Sequence, residues 1–202
     1  MINKEELLVF ALSKFTRFGS KRFTLDDFAH EMGISKKTIY EQFKNKEELI
    51  QESLFVLIKK LRIEFNKSIE ELQSNPILAI IDIYKIGLDS FKSFNPSFIF
   101  GLKKYYPSVY NSLVEFRTKE LNKIIKSLLQ KSKDKGQIRN NTNIELFCEL
   151  YLNRLELILF SSNNLHDQYP VNQLVEHIIV NSLRGIATED YLEKNNYLLD
   201  SH

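Results

Sequence analysis

Glycine and proline are scarce in this chain: six and four of 202 residues, about 5% together where an average protein has about 12%. Both punctuate turns, so their scarcity argues against a turn-dense all-β fold, a collagen-like repeat or a disordered linker. Tryptophan is absent and cysteine occurs once, at Cys148. A single thiol forms no intramolecular disulfide framework and supplies no cysteine cluster for zinc. No uninterrupted apolar run reaches the ~18 residues of a membrane span. At the start, Glu5 and Glu6 precede a short apolar run, Leu7 to Leu12, which lacks the basic beginning and the length of a signal peptide. Neither sign of charge dominates, since 28 basic residues face 26 acidic ones for a net +2, and bulk charge therefore names no partner. Alanine is rare as well, 4 residues against 21 each of Lys and Ile. Such a bias is what an AT-rich genome imposes, so single lysines say little. A helical chain is expected, 43% hydrophobic and long enough for a sizeable core, in a reducing cytoplasm and off the membrane.

Helical periodicity recurs from end to end. Leu7, Leu8, Ala11, Phe15 and Phe18 share one stripe, which predicts a helix from Lys4 to Phe18 stopped at Gly19. Thr24 ahead of Asp26 and Asp27 predicts a capped second helix from Leu25 to about Met32, ended by Gly33. Ser35 offers the cap of a third helix through Phe43, and Asn45 with Glu48 a capping-box-like start to a fourth that continues toward Leu72. Asn75-Pro76 and Asn95-Pro96 each place proline at a first helical position, with one helix, Ile77 to Phe94, between them. Tyr106-Pro107 opens another to about Lys133, ended by Gly136. Two more, Ile144 to Phe160 and Val171 to Ile186, are apolar on more than one face.

The second and third helices, joined by the tight turn at Gly33, have the sequence shape of a helix-turn-helix. Phe28, Ala29 and Met32 must pack against Ile34, Ile39 and Phe43 to hold the third helix rigid. Its other side then offers Ser35, Lys36, Lys37, Thr38, Glu41 and Gln42, groups that bond phosphates or base edges. A plain structural hairpin has the same outline. Residues 1–50 contain nine basic and eight acidic side chains, but Arg17, Lys21, Arg22, Lys36, Lys37, Lys44 and Lys46 gather around this element, so one face can be positive.

The stretch from Phe18-Gly19 to Leu49 resembles the DNA-binding domain of the tetracycline-repressor (TetR) family. The resemblance rests on Gly33-Ile34-Ser35, Thr38-Ile39-Tyr40, Phe43 and Lys46-Glu47-Glu48-Leu49 in that spacing. Lys37 stands where the family often has Gly or Ala, and Gln42 where it often has His. The motif covers about a quarter of the chain. It implies an all-α fold: an N-terminal three-helix helix-turn-helix domain over 1–50 and a larger C-terminal helical bundle over 51–202 for effector binding and dimerisation. It further implies that the third helix enters the major groove with Lys37 and Thr38 at base edges or close backbone. Tyr40 would reach a phosphate through its hydroxyl, and Thr24, Ser35, Gln42 and Lys46 fall at phosphate-contact positions. Lys36 and Lys44 complete the DNA-binding set, with Arg22 a further phosphate partner and Lys21 simply solvated.

The family dimerises through its last two long helices, which places Leu146, Leu150, Leu157, Leu174, Ile178 and Leu183 in an isologous interface; intramolecular core is the alternative. Aromatic residues crowd the region from Phe91 to Phe116. An apolar effector pocket is expected from Phe98, Tyr105, Tyr106, Tyr110, Phe116 and Tyr151, with Asn153 and Arg154 orienting the ligand; core filling is the alternative for each aromatic. No enzyme, metal or cofactor is expected, because His30, His166, His177 and His202 are scattered and no nucleophile elbow or phosphate-cradling glycine loop occurs. Cys148 is expected to be an inert packing residue, with a redox sensor as the alternative. The expected function is a sequence-specific transcriptional regulator, a ligand-responsive repressor that binds a palindromic operator in double-stranded DNA as a homodimer and is released by a small-molecule effector. The alternative is a helical dimeric ligand- or protein-binding module that has lost DNA binding.

Overall fold

The structure is a computed structural model that describes residues 3–92, 94–150 and 165–200. It is all-α, with no strand among the described residues; a lone antiparallel bridge joins Ile138 to Ala187. In chain order the helices are α1 (Lys4–Phe18), α2 (Leu25–Met32), α3 (Lys36–Gln42), α4 (Lys46–Glu71), α5 (Pro76–Phe91), α6 (Pro96–Tyr105), α7 (Pro107–Glu115) and α8 (Asn122–Asp134). Residues 144–150 form α9, followed by α10 (Leu165–Gln168), α11 (Val171–Val175), α12 (Asn181–Ile186) and α13 (Glu189–Asp200). A π-turn, Phe116–Leu121, joins α7 to α8, and a second, Glu176–Val180, joins α11 to α12. Residues pack into two compact units: Met1–Lys60 with Ser93–Phe116, and Leu61–Lys92 with Arg117–His202. Packing thus places the segment 93–116, which the sequence assigns to the larger part, in the first unit.

In the first unit the α1 stripe is buried as its spacing predicts: Leu7, Leu8, Ala11 and Phe15 all face inward. Phe18 is the exception, 40% exposed, with its ring stacked 6.1 Å from that of Phe23. Phe28 sits edge-on to Phe10 at 5.5 Å and to Phe23 at 6.5 Å. Gly33 takes the left-handed conformation (φ 64°) that ends α2, its amide donating to the carbonyls of Ala29 and His30.

Helix α6 lies along the end of α1. The Asn95 amide donates to the Thr16 carbonyl at 2.8 Å, and a Cβ built on Gly101 would stand only 2.3 Å from Ser20 Oγ. Ser20 is fully buried and its hydroxyl has no partner. Helix propensity favours alanine at 101 by about 1 kcal/mol, whereas overpacking opposes it by about 1–3 kcal/mol. Gly101→Ala is therefore expected to destabilise the unit by up to about 2 kcal/mol. In a Ser20→Ala background the nearest remaining neighbour is Cβ of residue 20, now 3.7 Å away, and the same substitution should become stabilising. Thermal melts of the four chains decide it; one sign in both backgrounds would refute the packing argument.

In the second unit α5 is apolar nearly all round, and Ile77, Ile80, Ile81, Ile83, Tyr84 and Leu88 are buried. It packs against α8 and against α11 with its π-turn. Pro76 begins α5 as expected, but the Asn75 side chain makes no cap; it accepts a hydrogen bond from the Tyr191 hydroxyl of α13 at 2.8 Å. The π-turn explains why Val171 to Ile186 is apolar on more than one face. Its wider turn buries three consecutive residues, Ile178, Ile179 and Val180.

Candidate nucleic-acid interface

Helix α3 has seven residues, too few to stand alone, so its ends and its buried side hold it. Ser35 Oγ accepts the Thr38 amide at 3.1 Å and lies 2.9 Å from Thr38 Oγ1. Ile39 is fully buried and Phe43, just past the helix, is buried too. Lys36, Lys37, Tyr40, Glu41 and Gln42 are left exposed on the other side.

The nine residues predicted to meet DNA differ in what already holds them. Thr24 and Asp27 form a reciprocal cap: Thr24 Oγ1 donates to Asp27 Oδ2 at 2.7 Å and accepts the Asp27 amide at 3.1 Å. The Thr24 amide, with its hydroxyl, bonds the ionised carboxylate and holds Asp27 below the usual carboxylate range. Lys36 Nζ stands 2.5 Å from Asp26 Oδ1, and hydrogen bonding to that carboxylate raises its pKa. Lys46, in the first turn of α4, is half-buried; its ammonium donates to the Lys21 carbonyl at 3.4 Å and lies 5.5 Å from the Phe15 ring centroid. Burial lowers its pKa, against an opposing pull from Asp27. Lys37, Gln42 and the Lys44 side chain have no hydrogen-bond or ion-pair partner among the described residues. Tyr40 is 55% exposed. The end of α3 and the approach to α4 thus present two uncommitted cations, a phenol and an amide. At the start of α4, Asn45 Oδ1 accepts the Glu48 amide at 2.9 Å, while the Glu48 carboxylate accepts the Lys44 amide, one residue earlier than a capping box requires.

Residues 7–53 match the family model of bacterial regulatory proteins, tetR family. Residues 7–53 are a TetR-type DNA-binding segment. An uncharacterized helix-turn-helix-type transcriptional regulator of Bacillus subtilis, YvaF, is 26% identical over 169 residues, spanning 83% of this chain and 87% of its own. A TetR-family transcriptional regulator from Marinobacter aquaeolei shares the fold with a TM-score of 0.70 at 18% identity, covering 100% of this chain and 98% of its own. The SmeT–triclosan complex matches with a TM-score of 0.70 at 13% identity over 92% of each chain. The TetR-type domain makes the chain a DNA-binding transcriptional regulator.

The remaining predicted residues separate by burial. Phe98 is fully buried, edge-on to Phe94 at 5.4 Å, and Phe116 is buried where the first π-turn begins. Tyr106 and Tyr110 are partly buried; burial and the nearby Glu47 carboxylate raise the Tyr106 pKa. Tyr105 is exposed, and its hydroxyl accepts a hydrogen bond from Lys21 Nζ at 3.2 Å. That bond, with Lys104 adding to it, holds the phenol below its ordinary pKa. Tyr105 thus sits at the surface of the first unit. Its partner is 84 positions away, so no sequence spacing signals the pair. Tyr151, Asn153, Arg154 and Leu157 lie outside the described residues. Leu174, Ile178 and Leu183 are buried within the protomer, as the intramolecular-core alternative for them requires. Leu146 and Leu150 remain 51% and 53% exposed, four residues apart on α9. Cys148 between them is buried, and burial pushes its thiol up to about 11, as suits an unreactive packing residue.

Proposed function

We propose that this regulator is a repressor that binds a palindromic operator as a dimer and leaves it when a small molecule occupies its larger helical part, with residues 1–50 serving DNA and 51–202 serving effector and partner. The observation that carries the DNA half is the set Lys37, Tyr40, Gln42 and Lys44, exposed on and just past a helix pinned by Ile39 and Phe43. A twofold dimer presents two such helices about 34 Å apart, which demands two-fold related half-sites. The exposed Leu146 and Leu150 give α9 an apolar strip suited to a second copy. Two features support a small-molecule effector: a structural relative is complexed with triclosan, and the buried Tyr84 hydroxyl and Asn122 Oδ1 lack partners. By linkage, an effector that weakens operator binding tenfold, about 1.4 kcal/mol, is itself bound tenfold more weakly by the operator complex. Repeated selection of bound duplexes from a random-sequence pool tests the proposal. Enrichment of an inverted repeat is expected; enrichment of no motif would instead favour a helical binding module without DNA specificity.

A further inference from the structure

We propose that Lys21 and Lys104, which converge on Tyr105 at the carboxyl end of α6, together with Lys103 in the same last turn, form a second phosphate-binding patch that carries the DNA contact beyond the helix-turn-helix. This rests on the DNA-binding reading of α3. Lys21 Nζ lies 4.6 Å from the Tyr105 ring centroid and Lys104 Nζ 5.3 Å from the same centroid. Two ammonium groups therefore converge on one phenol, and like charges held together favour a bound anion. None of the three lysines has a carboxylate partner among the described residues. Elsewhere in the same unit Lys4 pairs with Glu52, Lys14 with Glu31 and Lys36 with Asp26. A lysine in the last turn of a helix also serves the helix dipole. That accounts for Lys103 or Lys104, but not for Lys21, which arrives from the turn between α1 and α2.

The patch adjoins the proposed DNA face. Lys46 in the first turn of α4 bonds the Lys21 carbonyl, and Tyr106, directly after Tyr105, feels the Glu47 carboxylate of that same turn. Lys44, one of the uncommitted cations, lies two residues before Lys46. The free amides of a helix start add their own attraction for phosphate. Phe100, 63% exposed with Lys104 Nζ 5.8 Å from its ring centroid, borders the patch without supplying a counter-charge. Such a surface reads backbone charge and not base sequence, so its contribution should be equal on every duplex.

Salt titrations of the full chain on a mixed-sequence 30-base-pair duplex test this. Each lost phosphate contact lowers the magnitude of the slope of log K against log salt by about 0.9, worth up to about eightfold in affinity at 0.1 M salt. Lys103→Gln/Lys104→Gln is expected to reduce the slope by about 0.9–1.8, and Lys104→Arg to keep the wild-type slope. Lys67→Gln, on the distal part of α4 beside Glu71, should change nothing. A wild-type slope in the double variant, with Lys37→Ala lowering it, would overturn the patch and leave the α3 reading standing. A wild-type chain that binds no duplex would overturn both.

Discussion

Replacing Phe28 with alanine is expected to destabilise the first unit by about 3–5 kcal/mol and to abolish DNA binding at room temperature. Phe28 has no exposed surface, and its ring closes the seam between α1 and α2 through edge contacts with Phe10 and Phe23. Removing it leaves a cavity where three aromatic rings meet. A domain of ordinary stability, about 5–15 kcal/mol, loses a large share of its margin in one step. The consequence for function follows from α3, which is too short to keep its place without α2. Phe18→Ala is the comparison, because that ring is 40% exposed and stacks on Phe23 from the surface. Urea denaturation followed by circular dichroism gives both values. Equal midpoints for the two variants would sink the account of this core.

The second large effect is on recognition. Lys37→Ala is expected to weaken binding to a selected operator by about 1–3 kcal/mol, roughly five- to 150-fold, and to relax discrimination at the base pair it meets. Lys36→Ala is expected to cost less. The two lysines are neighbours, but Lys36 is held by Asp26 at 2.5 Å, whereas the exposed Lys37 has no partner among the described residues. Fluorescence anisotropy with operator and scrambled duplexes distinguishes base reading from general attraction. A larger loss for Lys36→Ala than for Lys37→Ala would show that the Asp26 pair opens on DNA and that the assignment is reversed.

Much of the first unit was legible before any coordinates. The stop at Gly19, the Thr24 cap, the left-handed Gly33 and the Ser35 cap of α3 all stand where their residue types placed them. Each involves groups within about four residues of one another, the range over which helix capping acts. The ends of longer helices were less legible. The predicted helix to Phe94 stops at Phe91, and the long one from Pro107 is interrupted by a π-turn at Phe116–Leu121. Helix α13 had no expectation attached to it.

The apolar helix from Val171 shows how packing within the protomer can use an apolar pattern on several faces. Apolar residues on several faces suggested one face for the core and one for a partner. The π-turn rotates successive residues inward, α5 packs against α11 and this turn, and Leu174, Ile178 and Leu183 are all buried within the protomer. Tyr105 is a second residue whose neighbours the pattern does not reveal. Aromatic density suggested a cavity wall, and Lys21 from a distant turn makes that ring part of a charged surface.

The sequence by itself determined the helical class, the position of each early cap and the helix-turn-helix, because these depend on side chains and backbone groups a turn apart. Tertiary structure decided which candidate side chains are uncommitted. Lys37 and Lys36 are adjacent and alike as sequence, as are Tyr105 and Tyr106. Their difference lies in an Asp26 carboxylate or a Lys21 ammonium brought alongside by packing, and a charge acts on whatever lies within a few ångströms, however far away it is along the chain.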